Sequence, residues 1–88
     1  MIYKVHYSPK AAKVLSKLDK SVQKMIYFWI DKNLEGCTNP RIHGKALSAN
    51  LSGLWRYRIG DYRLIADISD KTITILILNI GHRRDIYE

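Results

Sequence analysis

Cysteine is almost missing from this chain. Cys37 stands alone, which excludes an internal disulfide and any zinc site built on paired cysteines. A reducing cytoplasm is the expected home. Long apolar runs are missing as well. The most apolar stretch, Ile73 to Ile80, is rich in β-branched residues and far too short to span a bilayer, so no membrane association is expected. The opening MIYKVHYSPK lacks the apolar run of a signal peptide. Acidic residues are scarce: 8 Asp and Glu stand against 15 Lys and Arg, a net charge of +7. Such an excess favours a polyanion or an acidic partner and says nothing directly about fold. His6, His43 and His82 are scattered without ligand spacing, so neither metal nor cofactor is expected. Internal repeats and low-complexity segments are absent.

What remains is material for one small domain over residues 1–88. Two Trp and six Tyr supply bulk for a thin core, and one helical layer on one sheet is the natural economy at this size. Ile2 to His6 alternates as a first strand, with Tyr3 and Val5 facing opposite to Ile2, Lys4 and His6. Ser8-Pro9 starts a helix, because the Ser8 hydroxyl can cap orphan N–H groups and Pro9 suits the first helical position. Ala11, Ala12, Val14, Leu15 and Leu18 follow at helical spacing. Asp19 or Ser21 then caps a second helix whose stripe is Val22, Met25, Ile26, Trp29, Ile30 and Leu34, ended by Gly36. Phe28 lies off that stripe and Tyr27 at its edge, and both are candidate partner contacts.

Cys37 to Gly53 is rich in turn residues and reads as one long connection carrying Arg41, His43 and Lys45. The chain then enters its central feature, Leu54 to Ala66. Trp55, Tyr57 and Ile59 alternate with Arg56 and Arg58, so the apolar trio points one way and both arginines the other. Gly60-Asp61 is a two-residue hairpin signal, and Tyr62-Arg63 begins the return strand. After a turn at 68–71, Thr72 to Ile80 forms a nearly continuous apolar strand, expected at the sheet's centre and buried on both faces. The expected fold class is α+β, in the order β-α-α-β-β-β. A helical hairpin packs on one face of a mostly antiparallel four-stranded sheet.

Helices need one sheet face, and Trp55, Tyr57 and Ile59 suit it. Arg56 and Arg58 then project from the open face, about 6.5–7 Å apart, and Arg63 joins them if its register allows. Guanidinium groups make bidentate contacts to phosphate oxygens. The tail adds His82, Arg83, Arg84 and Tyr87 in quick succession. An imidazole can move a proton near neutrality, and a tyrosine ring can stack on a base. Together these suit RNA cleavage by its own 2′-hydroxyl, a reaction that needs a base, positive charge for the phosphorane and an acid for the departing 5′-oxygen, and no metal. Lys45, Arg41 and Arg84 are further RNA contacts. The plainer alternative is a solvated basic face, or a structural network pairing the central arginines with Asp61 or Asp67.

The segment GLWRYRIGDYRL, Gly53 to Leu64, resembles the signature of the RelE toxins in the RelE/ParE superfamily. Ile80 to Tyr87, IGHRRDIY, resembles that family's C-terminal motif, and Tyr3 to Leu18 is also similar to its start. The resemblance implies the toxin of a type II toxin–antitoxin pair: an mRNA interferase that cuts the message in the ribosomal A site. It also implies a RelB-like antitoxin partner, through which alone operator DNA is met. Carried over by motif, Arg56 and Arg58 are the two basic positions before the hairpin and Arg63 the arginine of the Tyr-Arg-Leu step. Arg83 is the basic residue after the glycine, and Tyr87 the tail tyrosine. The best-known RelE has lysines at the first two positions. Arginine stays protonated and is no general base, which turns attention to His82, since related members use a histidine in this region. Two other readings stay open: a ParE-like DNA gyrase inhibitor that cleaves nothing, and an inactive antitoxin-binding remnant.

Overall fold

The computed structural model describes residues 2–84. Its elements are β1 (Lys4–Tyr7), α1 (Pro9–Ser16), α2 (Lys20–Asn33), β2 (Gly44–Ala46), a 3-10 turn at Ala49–Leu51, β3 (Trp55–Ile59), β4 (Tyr62–Ser69) and β5 (Thr74–His82). Ser8 does two jobs at the start of α1. Its hydroxyl oxygen accepts the Ala11 N–H at 3.0 Å, and its O–H donates to the Leu78 carbonyl at 3.0 Å. One side chain thus caps the helix and ties it to β5. Asp19 occupies the N-cap of α2, and Gly36 closes that helix at φ +78°. Only glycine takes this left-handed conformation without a steric cost.

The sheet order is β1-β5-β4-β3-β2, with β1 parallel to β5 and every other pair antiparallel. Both helices cover one face. Ala11, Leu15, Ile26, Ile30 and Leu34 meet Tyr57, Ile59, Leu64, Ala66, Ile75, Ile77 and Ile80 in a single core. Each large aliphatic side chain there contributes about 1.5–3 kcal/mol by leaving water. Tyr57 is wholly buried, its ring against Trp29 and its O–H donating to the Pro40 carbonyl at 2.6 Å. That bond fastens the long connection to the core, and burial pushes the phenol pKa up.

The α+β class and the helical layer follow the sequence pattern, with three adjustments. A fifth strand, β2, pairs Gly44 with Tyr57, Lys45 with Arg56 and Ala46 with Trp55. Three residues starting at a glycine are too few to display an alternation. The first strand runs Lys4–Tyr7, leaving Ile2 63% exposed. The strand buried on both faces is β4, not β5. Arg63, Leu64, Ile65 and Ala66 are consecutively buried, whereas β5 buries Ile75, Ile77 and Ile80 and leaves Leu76, Leu78 and Asn79 half-exposed. β4 is the middle strand of five, and with β2 added the centre moves one strand along. A bulge accompanies this: Ile65 faces Asn79 while Ala66 faces Ile77, so Leu78 is an extra residue in β5.

Gly44 is the tightest point of the new strand pair. A Cβ there would meet a Tyr57 ring carbon at 2.9 Å, the Arg56 carbonyl at 3.3 Å and the Trp55 ring at 3.4 Å. Tyr57 is packed on all sides and cannot retreat. Gly44→Ala is expected to destabilise the protein by ~1–3 kcal/mol, and each kcal/mol lowers Tm by ~4–8 °C in a domain of this size. Calorimetry checks this, and an unchanged Tm would mean that β2 does not pack on Tyr57 as described.

Candidate functional site

Residues paired across strands share a face of the sheet. Trp55 pairs with Ala66, Tyr57 with Leu64 and Ile59 with Tyr62, and these pairs face the helices. The pairs between them, Arg56–Ile65 and Arg58–Arg63, face away. Extending across the sheet, Arg63 pairs with Gly81, Ile65 with Asn79, and Arg56 with Lys45. The face opposite the helices therefore carries two rows. One is Arg58, Arg63, Gly81, and the other is Lys45, Arg56, Ile65, Asn79.

The register thus brings Arg56, Arg58 and Arg63 together as the alternation suggested, but not in equal exposure. Arg58 and Lys45 are exposed, while Arg56 and Arg63 are only 7% and 6% exposed. The Arg63 guanidinium curls back over the hairpin, its Nη1 donating to the Gly60 and Tyr62 carbonyls at 3.2 Å each. The hairpin closes as predicted, with Ile59 opposite Tyr62 and Gly60 at φ +58°.

The end of β5 is pinned to this hairpin. The Arg83 N–H donates to the Asp61 carbonyl at 2.7 Å, and the Arg83 Nε lies 4.0 Å from the Asp61 carboxylate. Both side chains are well exposed, so the ion pair contributes little stability, but the backbone bond fixes where Arg83 leaves the sheet. Arg58, Arg63 and Arg83 consequently share one end of the sheet. His82 does not join them. It pairs with Tyr62 and packs edge-on against that ring, centroids 5.6 Å apart, on the helix side. Its Nδ1 accepts the Arg84 N–H at 3.3 Å. Arg84 is exposed, and Tyr87 lies outside the described residues.

Arg41 sits at the opposite end of the sheet. Its two Nη atoms grip both oxygens of Asp70 at 3.0 Å, and its guanidinium lies 5.7 Å over the Trp55 ring. Tyr3 donates to the same carboxylate at 2.6 Å. The Arg41 guanidinium and then the Tyr3 hydroxyl hold the Asp70 pKa below the ordinary carboxylate range. Asp70 and Tyr3 escaped the sequence reading because a turn aspartate and a strand tyrosine give no sign that tertiary folding joins them. The sequence offers Asp61 or Asp67 as partners of the central arginines; Asp61 instead lies beside Arg83, and Asp67 is exposed, opposite Leu76. Phe28 is 69% exposed, and Tyr27, 39% exposed, meets the Tyr7 ring edge-on. Burial, then Tyr27, Asp31 and Glu35, push the Tyr7 phenol up to about 12. Among the described residues no group of three His, Cys, Asp or Glu is placed to hold a metal, and no helix is long and apolar enough to cross a membrane.

Residues 5–87 match the family described as the ParE toxin of the type II toxin–antitoxin system parDE. Toxin RelG of Mycobacterium tuberculosis is 33% identical over 87 residues, covering 99% of this chain and 98% of its own. Among solved structures, the RelBE2 toxin–antitoxin complex of M. tuberculosis contains a chain with TM-score 0.85 and 30% identity. That alignment covers 94% of this chain and 93% of the other. The isolated E. coli RelE toxin superposes with TM-score 0.73 at 19% identity, covering 91% and 83%, a likeness of fold.

The Asp70 network generates a pH test. A carboxylate whose folded pKa is depressed contributes stability above its unfolded pKa, near 4; that contribution is lost as pH falls through the folded pKa. Urea titrations should find Asp70→Asn less stable than wild type at pH 7, with the gap closing in acid as the pH falls below the ordinary carboxylate range. A gap that persists unchanged in acid would exclude the carboxylate's charge as the cause.

Proposed function

Because the chain belongs to the RelE/ParE superfamily and is a toxin of a type II toxin–antitoxin system, we propose that it is an endoribonuclease cutting mRNA in the ribosomal A site. The message's own 2′-hydroxyl attacks the adjacent phosphorus, the bond to the 5′-oxygen breaks, and translation stops. The observation that carries this reading is the cross-strand pair Arg58–Arg63, with Arg83 held at the same end of the sheet. Guanidinium groups there meet phosphate oxygens in bidentate fashion and stabilise the charge that grows on the phosphorane. Arg56 and Lys45, in the next row, extend the positive track along the strand.

No arginine serves as a base. The His82 ring rests on Tyr62 on the helix side and its Nδ1 accepts the Arg84 N–H, so its part is to fix the turn into the tail rather than to move the proton. Tyr87 keeps the stacking role that the family motif gives it, and Arg84 adds contact to ribosomal RNA. Arg41 is engaged by Asp70 at the far end and stands apart from this set. A site of this kind works by charge and by geometry. The ribosome bends the message so that the 2′-oxygen, the phosphorus and the leaving oxygen come into line.

A RelB-like antitoxin is the expected protein partner, as in the complexes of the relatives, with Phe28 and Tyr27 among its contacts. Operator DNA is reached through that complex, and the setting is the cytoplasm. A second reading rests on the family matched over residues 5–87, which is described as ParE: inhibition of DNA gyrase without cleavage. Purified protein decides between them, because one activity cuts mRNA on programmed ribosomes and the other blocks supercoiling and leaves ribosomes intact.

Arg63→Ala and Arg83→Ala should each lower cleavage on programmed ribosomes by roughly 10²–10³-fold and abolish growth inhibition while the fold persists. A folded double variant that still cuts mRNA would sink the site. His82→Ala should retain activity within about tenfold, whereas a loss of 10²–10⁴-fold would return the imidazole to acid–base chemistry.

A further inference from the structure

Asn79 lies on the arginine-bearing face, at the end of the row Lys45, Arg56, Ile65, Asn79. It stands two strand spacings, about 9.5 Å, from Arg56, and one strand across and one row along from Arg63. Its carboxamide is held. Oδ1 accepts the Ile80 N–H at 2.9 Å, just past the point where β1 leaves β5 to become α1. A backbone donor must face the oxygen, so the amide cannot be turned about, and the two hydrogens on Nδ2 are left for something else. Ile65, only 6% exposed, separates this amide from Arg56. Charge therefore stands at one end of the row, an apolar side chain in the middle, and a fixed pair of neutral donors at the other.

We infer that Asn79 determines specificity in the proposed RNA site by reading the base of the nucleotide whose phosphate the arginines hold; this rests on the functional reading above. Single-stranded RNA exposes the edges of unstacked bases, and side-chain amides recognise those edges. Two donors meeting the major-groove edge of a base favour the O4 of uracil or the O6 and N7 of guanine over the amino-bearing edges of cytosine and adenine. Capping the Ile80 N–H explains an oxygen at position 79. It does not explain why a nitrogen-bearing side chain shares the arginines' face of the sheet.

Asn79→Asp separates these roles. The aspartate keeps the oxygen that caps Ile80 and replaces the donors with acceptors, while Asn79→Ala removes both. The full chain and both variants are tested by mapping cleavage sites on programmed ribosomes. In parallel, the affinities of short single-stranded homopolymers of U, G, C and A are measured at fixed salt. Wild type should favour U or G over C or A by at least about fivefold, Asn79→Ala should flatten the four to within about twofold, and Asn79→Asp should invert the order. The added negative charge weakens all four together, so the ratio is the readout. Wild type that binds all four alike, or variants that keep the wild-type order, would overturn the inference. Base preference altered by the variants in a protein that cuts nothing on ribosomes would support it while removing the nuclease reading. Unchanged cleavage profiles from a protein that does cut would remove the inference alone.

Discussion

The register between β3 and β4 is the constraint on which everything else depends. A strand has a period of two, so a slip of one residue would carry Arg58 and Arg63 into the core and turn Tyr57 and Leu64 out to solvent. Two features hold the register. Gly60 takes the positive φ that a two-residue turn demands. Tyr57, Ile59 and Leu64 are almost wholly buried beneath the helices, and exposing them would cost several kcal/mol. The basic face is thus a by-product of the core, since what buries one set of side chains presents the other.

The two ends of the sheet then diverge. At the hairpin end, positive side chains are drawn together: Arg58 opposes Arg63, and Asp61 holds the backbone of Arg83 beside them. At the far end the same residue type is neutralised, because Arg41 is gripped by both oxygens of Asp70 and lies over Trp55. The proposed phosphate site lies at the first end, where the register sets Arg58 opposite Arg63. A net charge of +7 favours polyanions or an acidic partner, whatever the fold.

Much of this was legible before the fold was known. Ser8 and Pro9 announced α1, the stripe from Val22 to Leu34 announced α2, and Gly60-Asp61 announced the hairpin, because each signal is local chemistry acting over a few residues. β2 was not legible, since three residues show no period and their partner lies in β3, beyond the 3-10 turn. The placement of His82 was not legible either. Proximity to Arg83 in sequence suggests a shared site, but His82 is the last residue of β5 and its ring follows its cross-strand partner Tyr62 to the helix side.

The sequence by itself determined the helices, the hairpin, the alternation that segregates tyrosines from arginines, and a family likeness resting on two short motifs. These are consequences of backbone preference and periodicity, which operate over a handful of bonds. Only the tertiary structure decided that β4 lies at the centre, that Arg63 faces Arg58 and Gly81 while His82 turns to Tyr62, that Asp70 engages Arg41, and that Asn79 ends the row begun by Lys45. Each of those depends on which strands become neighbours, a choice made by burying the common core, and no stretch of chain carries it alone.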